Sequence, residues 1–281
     1  MPAIHALSQR YGFKILEDAS HAIGTSHTAP TAPCRSEPRS RTVARRPQPE
    51  QEKGTPFAGE ARSHKKIGTC AHSDITVFSF HPVKIITTGE GGMALTDDPE
   101  LAGRLARPRS HGITREPAQM THEADGPWYY QQIELGFNDR MTDIQAALGC
   151  SQIQRLEEFV ARRHELARRY DALLAGLPVV TPWRDPEARS AFHLYVVRLD
   201  EARAGRSRRA VFEALRQRGI GVNVHYLPVH TQPYDQALGL AGGDDPEAER
   251  YYQEAISLPP YPTMSEAQQD RVVTVLRDAL A

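Results

Sequence analysis

The sequence predicts an α/β protein followed by a smaller α+β unit at its C-terminal end. In the first part of the chain, short β-branched and aromatic runs alternate with capped, amphipathic segments, which are the patterns of buried strands and of helices. In the last third, strand-like and helical segments follow one another more closely. The chain has 281 residues, 40% of them hydrophobic, which is enough for one or two packed domains.

The chain is predicted to begin with a helix that leads into a short strand. Ile4, Leu7 and Tyr11 are three to four residues apart, as on one face of a helix. Residues 13–17 have the composition of a strand that ends at Asp18. A buried strand needs neighbouring strands, and here only one helix comes before it in the sequence. We therefore expect further elements to precede this helix.

Residues 25–66 differ in composition from the rest of the chain. Six prolines interrupt any regular element, several arginines make the middle basic, and aliphatic residues are nearly missing. Such a segment cannot bury enough apolar surface to offset its conformational entropy, so we predict a disordered insertion. A basic arm that binds an acidic partner and a solvated insertion without a selected role are the two interpretations.

Regular structure is predicted to resume at residue 67. The expected elements are a strand at 75–80, a strand at 91–96, a helix opened by Asp98 and Pro99, a long loop at 108–135, a helix at 141–159, a strand at 192–199, a helix that ends at Gly219, a strand at 221–225, and helices at 246–255 and 265–280. We assign residues 1–24 and 67–155 to a large domain and residues 156–281 to a small C-terminal domain.

Charge and cysteine content narrow the class of protein. A net charge of -1 gives no reason to expect a nucleic acid or an anionic membrane as partner of the whole chain. No apolar run approaches the roughly 20 residues of a membrane span, and no secretory signal is recognisable. The three cysteines, Cys34, Cys70 and Cys150, form no CxxC pair. These features predict a cytoplasmic protein.

Two polar residues follow predicted strands, where α/β sheets place ligands. The carboxylate of Asp18 can hold a ring nitrogen protonated, and a desolvated Lys84 can form an imine. Taken alone, each has a more ordinary explanation, Asp18 as a turn cap and Lys84 as a solvated lysine. Ser79 can either bind a phosphate or satisfy a backbone group.

Other kinds of site lack their motifs. Twelve histidines occur, but no HExxH and no cysteine pair, so no metal site is predicted. His225 and His230 are more simply explained as walls of a polar pocket. The sequence also lacks a phosphate-binding GxxxxGK[ST] loop, a GxSxG elbow and a dinucleotide-binding GxGxxG motif.

Four motifs occur in one order along the chain: EDASHA at 17–22, FSFHPVK at 78–84, TGEGG at 88–92 and GFNDRMTDIQAA at 136–147. Together they resemble the DegT/DnrJ/EryC1/StrS family of sugar aminotransferases. The runs HPVKIITTG at 81–89 and GVNVHYLPVH at 221–230 are most similar to the branch of that family that acts in pseudaminic acid biosynthesis.

The resemblance implies a fold-type I transferase that depends on pyridoxal 5'-phosphate (PLP), with a large domain around a central mixed sheet. Lys84 would be the Schiff-base lysine, and Asp18 would pair with the pyridinium nitrogen. His21 would contact the phenolic oxygen of the ring, and Ser79 would bind the phosphate. Asn138 would reach the cofactor of a second subunit, which implies a homodimer.

The resemblance also implies a reaction. An amino group would pass from an amino acid, glutamate by resemblance, to the 4-keto group of a UDP-linked 4-keto-6-deoxy-N-acetylhexosamine, with His225 and His230 near that substrate. The alternative is a truncated, non-catalytic protein of the same fold that binds PLP or pairs with a subunit. Dehydratases of one kind in the family carry histidine in place of the lysine, and Lys84 argues against that kind.

The sequence departs from the family pattern in three places. Family members are expected to carry a further N-terminal portion, so the large domain is predicted to be incomplete. The insertion at 25–66 is longer than the usual connection, and Asp139 stands where tyrosine is more usual.

Overall fold

The structure, a computed structural model, describes residues 1–28 and 64–281. Its helices, numbered in chain order, are α1 Pro2–Tyr11, α2 Pro99–Ala106, α3 Asp143–Ile153, α4 Leu156–Leu173, α5 Glu201–Ala204, α6 Arg208–Gln217, α7 Pro233–Ala237, α8 Pro246–Glu254 and α9 Glu266–Leu280. Its strands are β1 Leu16–Asp18, β2 Ser26–Thr28, β3 His64–Lys66, β4 Ile75–Ser79, β5 Gly92–Leu95, β6 Ile113–Thr114, β7 Gln131–Gln132, β8 Val179–Val180, β9 Ala188–Arg189, β10 Tyr195–Leu199 and β11 Ala255–Leu258.

The first unit is built on a mixed sheet with the order β1-β4-β5. β1 and β4 run parallel, whereas β5 runs antiparallel to β4 after the glycine turn. The mixed sheet confirms the predicted fold class. Phe78 and Phe80 pack in a small core with Ile86 and with Val160, which comes from α4. The residues that the structure describes place no strand beyond β1 or β5, so both sheet edges are open.

The second unit is an antiparallel sheet with the order β11-β10-β8, covered by helices. Tyr170 of α4, Leu215 of α6 and Leu276 of α9 meet in its core, and each is fully buried. This is the α+β layer that the sequence predicts. The predicted strand at 221–225 is wrong. β11 pairs with β10, and residues 221–225 reach the sheet only through a single bridge, from Asn223 to Ser257 of β11.

Helix α4 joins the two units. Its first turns place Phe159 and Val160 in the core of the first unit, and its later turns place Leu166 and Tyr170 in the core of the second. The junction between the units therefore lies inside α4, a few residues after the predicted boundary at 156.

The predicted disordered insertion at 25–66 is ordered at both ends. β2 and β3 pair with each other, and β2 also pairs with β9. The Lys66 ammonium binds the Glu157 carboxylate at 3.0 Å, and the Ile67 N–H donates to the Thr25 carbonyl at 3.0 Å. These backbone and ionic partners come from distant parts of the chain, which a composition argument does not detect. Residues 29–63 of the predicted segment lie outside the described residues.

Candidate active site

The carboxyl ends of β1 and β4 lie side by side at one edge of the mixed sheet. Asp18 is in register with Val77, and the Ala19 N–H donates to the Val77 carbonyl at 2.8 Å. β4 ends two residues later at Ser79. The fold therefore brings Asp18 and Ser79 to one edge, the position at which α/β sheets bind ligands.

Lys84 lies in the turn that follows β4. Its N–H donates to the His81 carbonyl at 2.9 Å, which closes the turn. Ile85 and Ile86, the next two residues, are 5% and 2% exposed and anchor the turn in the core of the first unit. Because its neighbours are fixed in this way, the half-buried Lys84 is held at the sheet edge.

A cavity of about 640 Å³ opens beside Lys84. Its walls come from both units: the turn after β4, helix α4, and the segments around residues 193, 223 and 260. The volume falls within the range of roughly 300–1,000 Å³ that small-molecule sites occupy. Its polar lining includes Lys84, Arg155, Arg163, His193, Asn223 and His225. The excess of basic groups favours an anionic ligand.

Asp18 is held as a carboxylate. Its Oδ1 accepts hydrogen bonds from the Ser20 hydroxyl at 2.5 Å and from the Ser20 N–H at 3.0 Å. These hydrogen bonds lower the pKa of Asp18, and the nearby charges of His21 and Lys84 lower it further. A negative group is therefore fixed at the end of β1.

The Lys84 amine has a pKa below its ordinary value. Burial is the main cause, because it penalises the charged ammonium, while the Asp18 carboxylate partly opposes the shift. A lowered pKa increases the fraction of neutral amine, which is the nucleophilic form. Among the described residues, Asp18 and Lys84 form no direct ion pair, and each affects the pKa of the other through its charge alone.

Three imidazoles surround this pair. The rings of His21 and His193 lie 4.3 Å apart between centroids, and His225 Nδ1 lies 2.7 Å from the Ser257 hydroxyl oxygen. Burial lowers the pKa of all three rings, and the positive charge of Lys84 adds to each shift. Neutral imidazoles therefore line this region at neutral pH.

Of the remaining predicted site residues, Ser79 lies at the same sheet edge, whereas Asn138 and His230 lie elsewhere. Ser79 Oγ, at the sheet edge, accepts a hydrogen bond from the His81 N–H at 3.4 Å. Asn138 is exposed and forms a bridge with Ser110. His230 Nε2 pairs with the Glu249 carboxylate at 2.8 Å and does not line the cavity of the described chain, unlike His225.

Arg163 and His193 are cavity residues that the sequence analysis missed. Arg163 is three residues after Val160 and three before Leu166, so it occupies the apolar face of α4. That position was a signal for a buried arginine, although the surrounding arginines obscured it. His193 precedes β10 in a run whose alternation indicated only a strand.

The described part of the chain has neither a membrane-spanning helix nor a cluster of metal ligands. Within residues 1–28 and 64–281, no helix is both long and apolar enough for a membrane span. The same part of the chain brings together no group of three His, Cys, Asp or Glu side chains that could hold a metal ion.

Comparisons with known proteins agree with the motifs. A sequence model of the DegT/DnrJ/EryC1/StrS aminotransferase family matches residues 1–277. The spore coat polysaccharide biosynthesis protein SpsC of Bacillus subtilis is 36% identical over 281 residues, which are 99% of this chain and 62% of SpsC. The chain thus spans about three fifths of the length of the curated relatives it matches.

Solved structures show the same fold. Helicobacter pylori PseC, an aminotransferase involved in the biosynthesis of pseudoaminic acid, superposes with a TM-score of 0.76 at 24% identity, over 99% of this chain and 62% of PseC. The PLP form of the putative sugar aminotransferase Spr1654 from Streptococcus pneumoniae superposes with a TM-score of 0.73 at 25% identity, over 98% of this chain and 61% of Spr1654. The chain belongs to the DegT/DnrJ/EryC1/StrS aminotransferase family.

Proposed function

We propose that the chain carries the lysine-bearing part of the active site of a PLP-dependent sugar aminotransferase. The observation that carries the proposal is the placement of both Lys84 and Asp18 at the carboxyl edge of the mixed sheet. Burial lowers the pKa of the amine, and hydrogen bonds lower the pKa of the carboxylate. An amine with a lowered pKa that lines the cavity, and a fixed carboxylate at the neighbouring strand end, are the two groups that a pyridine aldehyde requires.

The residues present fit that cofactor. The Lys84 amine would bind its aldehyde carbon, and the Asp18 carboxylate would accept a hydrogen bond from its protonated ring nitrogen. His21 would lie against the ring, and Ser79 would bind the phosphate at the end of β4. When bound, PLP supplies an electron sink that stabilises negative charge on the substrate carbon.

The chain's own residues supply the proton transfers. Once released, the Lys84 amine would take a proton from the amino donor and return it at the acceptor carbon, as a general base and then a general acid. Burial lowers its pKa and so increases the fraction of neutral amine available for that role. Asp18 stays negative throughout, since its hydrogen bonds from Ser20 lower its pKa.

For the substrate, we propose a nucleotide-linked keto sugar with an amino acid, glutamate in the family pattern, as donor. The basic cavity wall suits a diphosphate, and the motifs at 81–89 and 221–230 are most similar to UDP-4-amino-4,6-dideoxy-N-acetyl-beta-L-altrosamine transaminase. The acceptor would then be a UDP-linked 4-keto-6-deoxy-N-acetylhexosamine in cytoplasmic pseudaminic acid biosynthesis. His225 is the stronger candidate for a substrate contact, since it lines the cavity, and His230 the weaker.

A homodimer is part of the proposal. Asn138 is exposed and does not line the cavity of its own described chain, as expected of a residue that serves a second subunit. Around it, Leu135 is 85% exposed, Phe137 62% and Ile144 84%. Several large apolar side chains exposed near one residue are typical of a protein interface.

A second candidate function is a non-catalytic protein of the same fold that binds PLP or pairs with a subunit. The open edges of the mixed sheet among the described strands favour it, because neighbouring elements normally complete such a site. This candidate keeps cofactor binding at Lys84 and loses turnover.

Titration with PLP, followed by addition of glutamate, separates the two candidates. The enzyme predicts a new absorbance band on PLP addition that glutamate then bleaches, whereas the binder predicts a band that glutamate leaves unchanged. Lys84→Ala should abolish the band in either case. Lys14→Ala is the matched control, because Lys14 is exposed and paired with Asp74 at 2.9 Å. An unchanged band in Lys84→Ala would refute the assignment of this lysine.

A further inference from the structure

Arg163 is a buried cation that ties the cavity walls together. It is 5% exposed, and its Nη1 donates to the carbonyls of Phe192 at 3.0 Å, His193 at 3.2 Å and Pro260 at 2.8 Å. Burial lowers its pKa to about 10, so it is still charged at neutral pH. One guanidinium on α4 thus fixes the two segments, around residues 193 and 260, that form neighbouring walls of the cavity.

The segment before His193 is held in an unusual conformation. Phe192 has a φ of 48°, in the left-handed region that non-glycine residues seldom occupy. Its N–H donates to the Ser190 hydroxyl at 3.1 Å, and its carbonyl is one of the acceptors of Arg163. Backbone of this kind persists where surrounding contacts determine it, often beside a functional site. Here it directs the His193 ring to the cavity.

The His193 ring contacts His21 and has unused hydrogen-bonding capacity. The two ring centroids are 4.3 Å apart, with the planes tilted by 56°. His193 Nδ1 is buried and has no hydrogen-bond partner among the residues that the structure describes. Burial lowers the pKa of His193 to about 3, and the basic groups His21, Lys84, Arg163 and His225 add to the shift. The ring is therefore a neutral aromatic surface behind His21.

We propose that His193 is a positioning residue, which packs against the His21 imidazole and fixes its orientation near Lys84, and that Arg163 holds His193 in place. Only the contact of His21 with a cofactor rests on the proposed function. The arrangement explains the buried cation on the apolar face of α4: its three acceptors are the carbonyls that set the position of His193 and of the neighbouring wall at Pro260.

The direct test is the pKa of His21, measured by NMR titration of the full chain without cofactor. His21 faces Asp18, Lys84, His193 and His225, and burial is the main reason that its pKa is low. His193→Ala should admit water and move this pKa towards the ordinary value of about 6.5. His193→Phe keeps a ring of similar shape, so the His21 pKa should stay low.

Two arginine variants test the proposal that Arg163 holds His193 in place. Arg163→Lys should shift the His21 pKa in the same direction as His193→Ala, because a lysine cannot hold the same set of carbonyls. Arg162→Met is the matched control: Arg162 also donates to a carbonyl, that of Met264 at 2.7 Å, but it does not line the cavity of the described chain. It should leave the His21 pKa unchanged.

A cofactor measurement gives an independent readout. If the proposed function holds, His193→Ala should raise the Kd for PLP by roughly two- to tenfold, the effect of one lost aromatic contact, and His193→Phe should restore most of it. A His21 pKa that is the same in wild type and in a folded His193→Ala variant would overturn the inference. Failure of the wild type to bind PLP would instead refute the proposed function and leave the NMR test decisive.

Discussion

The two units of the chain bury their apolar residues to very different degrees. In the C-terminal unit, Tyr195, Leu215 and Leu276 are each fully buried, and all four residues of β11 are buried as well. In the first unit, every residue of α3 is at least partly exposed, and Leu16 of β1 is 68% exposed. The C-terminal unit is therefore packed like a complete domain core, whereas the first unit presents much of its apolar surface to solvent.

The unit with the well-packed core is therefore not the unit that carries the candidate reactive groups. The candidate reactive groups, Lys84 and Asp18, belong to the more open unit, while His193 and His225 come from the closed one. Sites are often built at such junctions, where a rigid part positions groups that a less stable part carries. The C-terminal unit would then supply the fixed wall against which the lysine edge is placed.

The sharpest way to break this comparison is a matched pair of leucine truncations. Leu276 is fully buried in α9, whereas Leu16 of β1 is 68% exposed in the first unit. Leu276→Ala should lower the free energy of unfolding by about 2–5 kcal/mol, because it removes buried contacts and leaves a cavity. Leu16→Ala should change it by less than about 1 kcal/mol. Urea denaturation measures both, and equal effects would contradict the contrast between the units.

A smaller effect is expected from two helix caps of the same kind. Ser265 caps α9 with Gln268, and Thr142 caps α3 with Gln145, each as a reciprocal capping box. Ser265→Ala should cost about 1 kcal/mol of global stability, because α9 is part of the core. Thr142→Ala should chiefly fray α3 locally, since that helix is exposed. Hydrogen exchange by mass spectrometry distinguishes the two, and global destabilisation by Thr142→Ala would count against the comparison.

The smallest expected effect is a pH dependence of the free energy of unfolding that arises where the chain segments before β1 and β4 meet. The Asp74 carboxylate accepts from the Ile15 N–H at 2.8 Å and from the Lys14 ammonium at 2.9 Å, and both contacts lower its pKa, the backbone contact more. Because the pKa of Asp74 is lower in the folded state, its ionisation stabilises the fold at pH values above the unfolded pKa of about 4. This stabilisation is lost as the pH falls through the folded pKa.

The test of that contact compares wild type with Asp74→Asn. The difference in their free energy of unfolding should be constant near neutral pH and should shrink as the pH falls below about 4. A difference that does not vary with pH would show that ionisation of Asp74 does not stabilise that contact.

The sequence predicted those parts of the candidate site whose position follows from the strand that they end. Asp18 and Ser79 end strands that could be recognised from composition, and parallel strands place their ends at one edge. The role of Lys84 came from its motif, since a single lysine after a strand has more ordinary explanations. Most of the helices and strands were predicted for the same local reasons.

The parts that were missed depend on contacts between distant segments. Arg163 reaches Pro260, 97 residues further along the chain, and β2 pairs with β9 across a much larger gap. The strand at 221–225 was wrong because only Asn223 bridges to the sheet, at Ser257 of β11. β11 itself has no polar and apolar alternation, since all four of its residues are buried. Local patterns predict elements, but they do not specify which segments pair.

The central claim is that Lys84, and no other lysine, is the covalent site for PLP. The chain has only five lysines, at positions 14, 53, 65, 66 and 84, so borohydride reduction with PLP followed by peptide mass spectrometry gives an unambiguous map. Burial lowers the pKa of Lys84, whereas the contact with Asp74 raises that of Lys14. The account predicts labelling concentrated at Lys84 at low PLP concentration. Equal labelling of the other lysines, or an unlabelled Lys84, would contradict it.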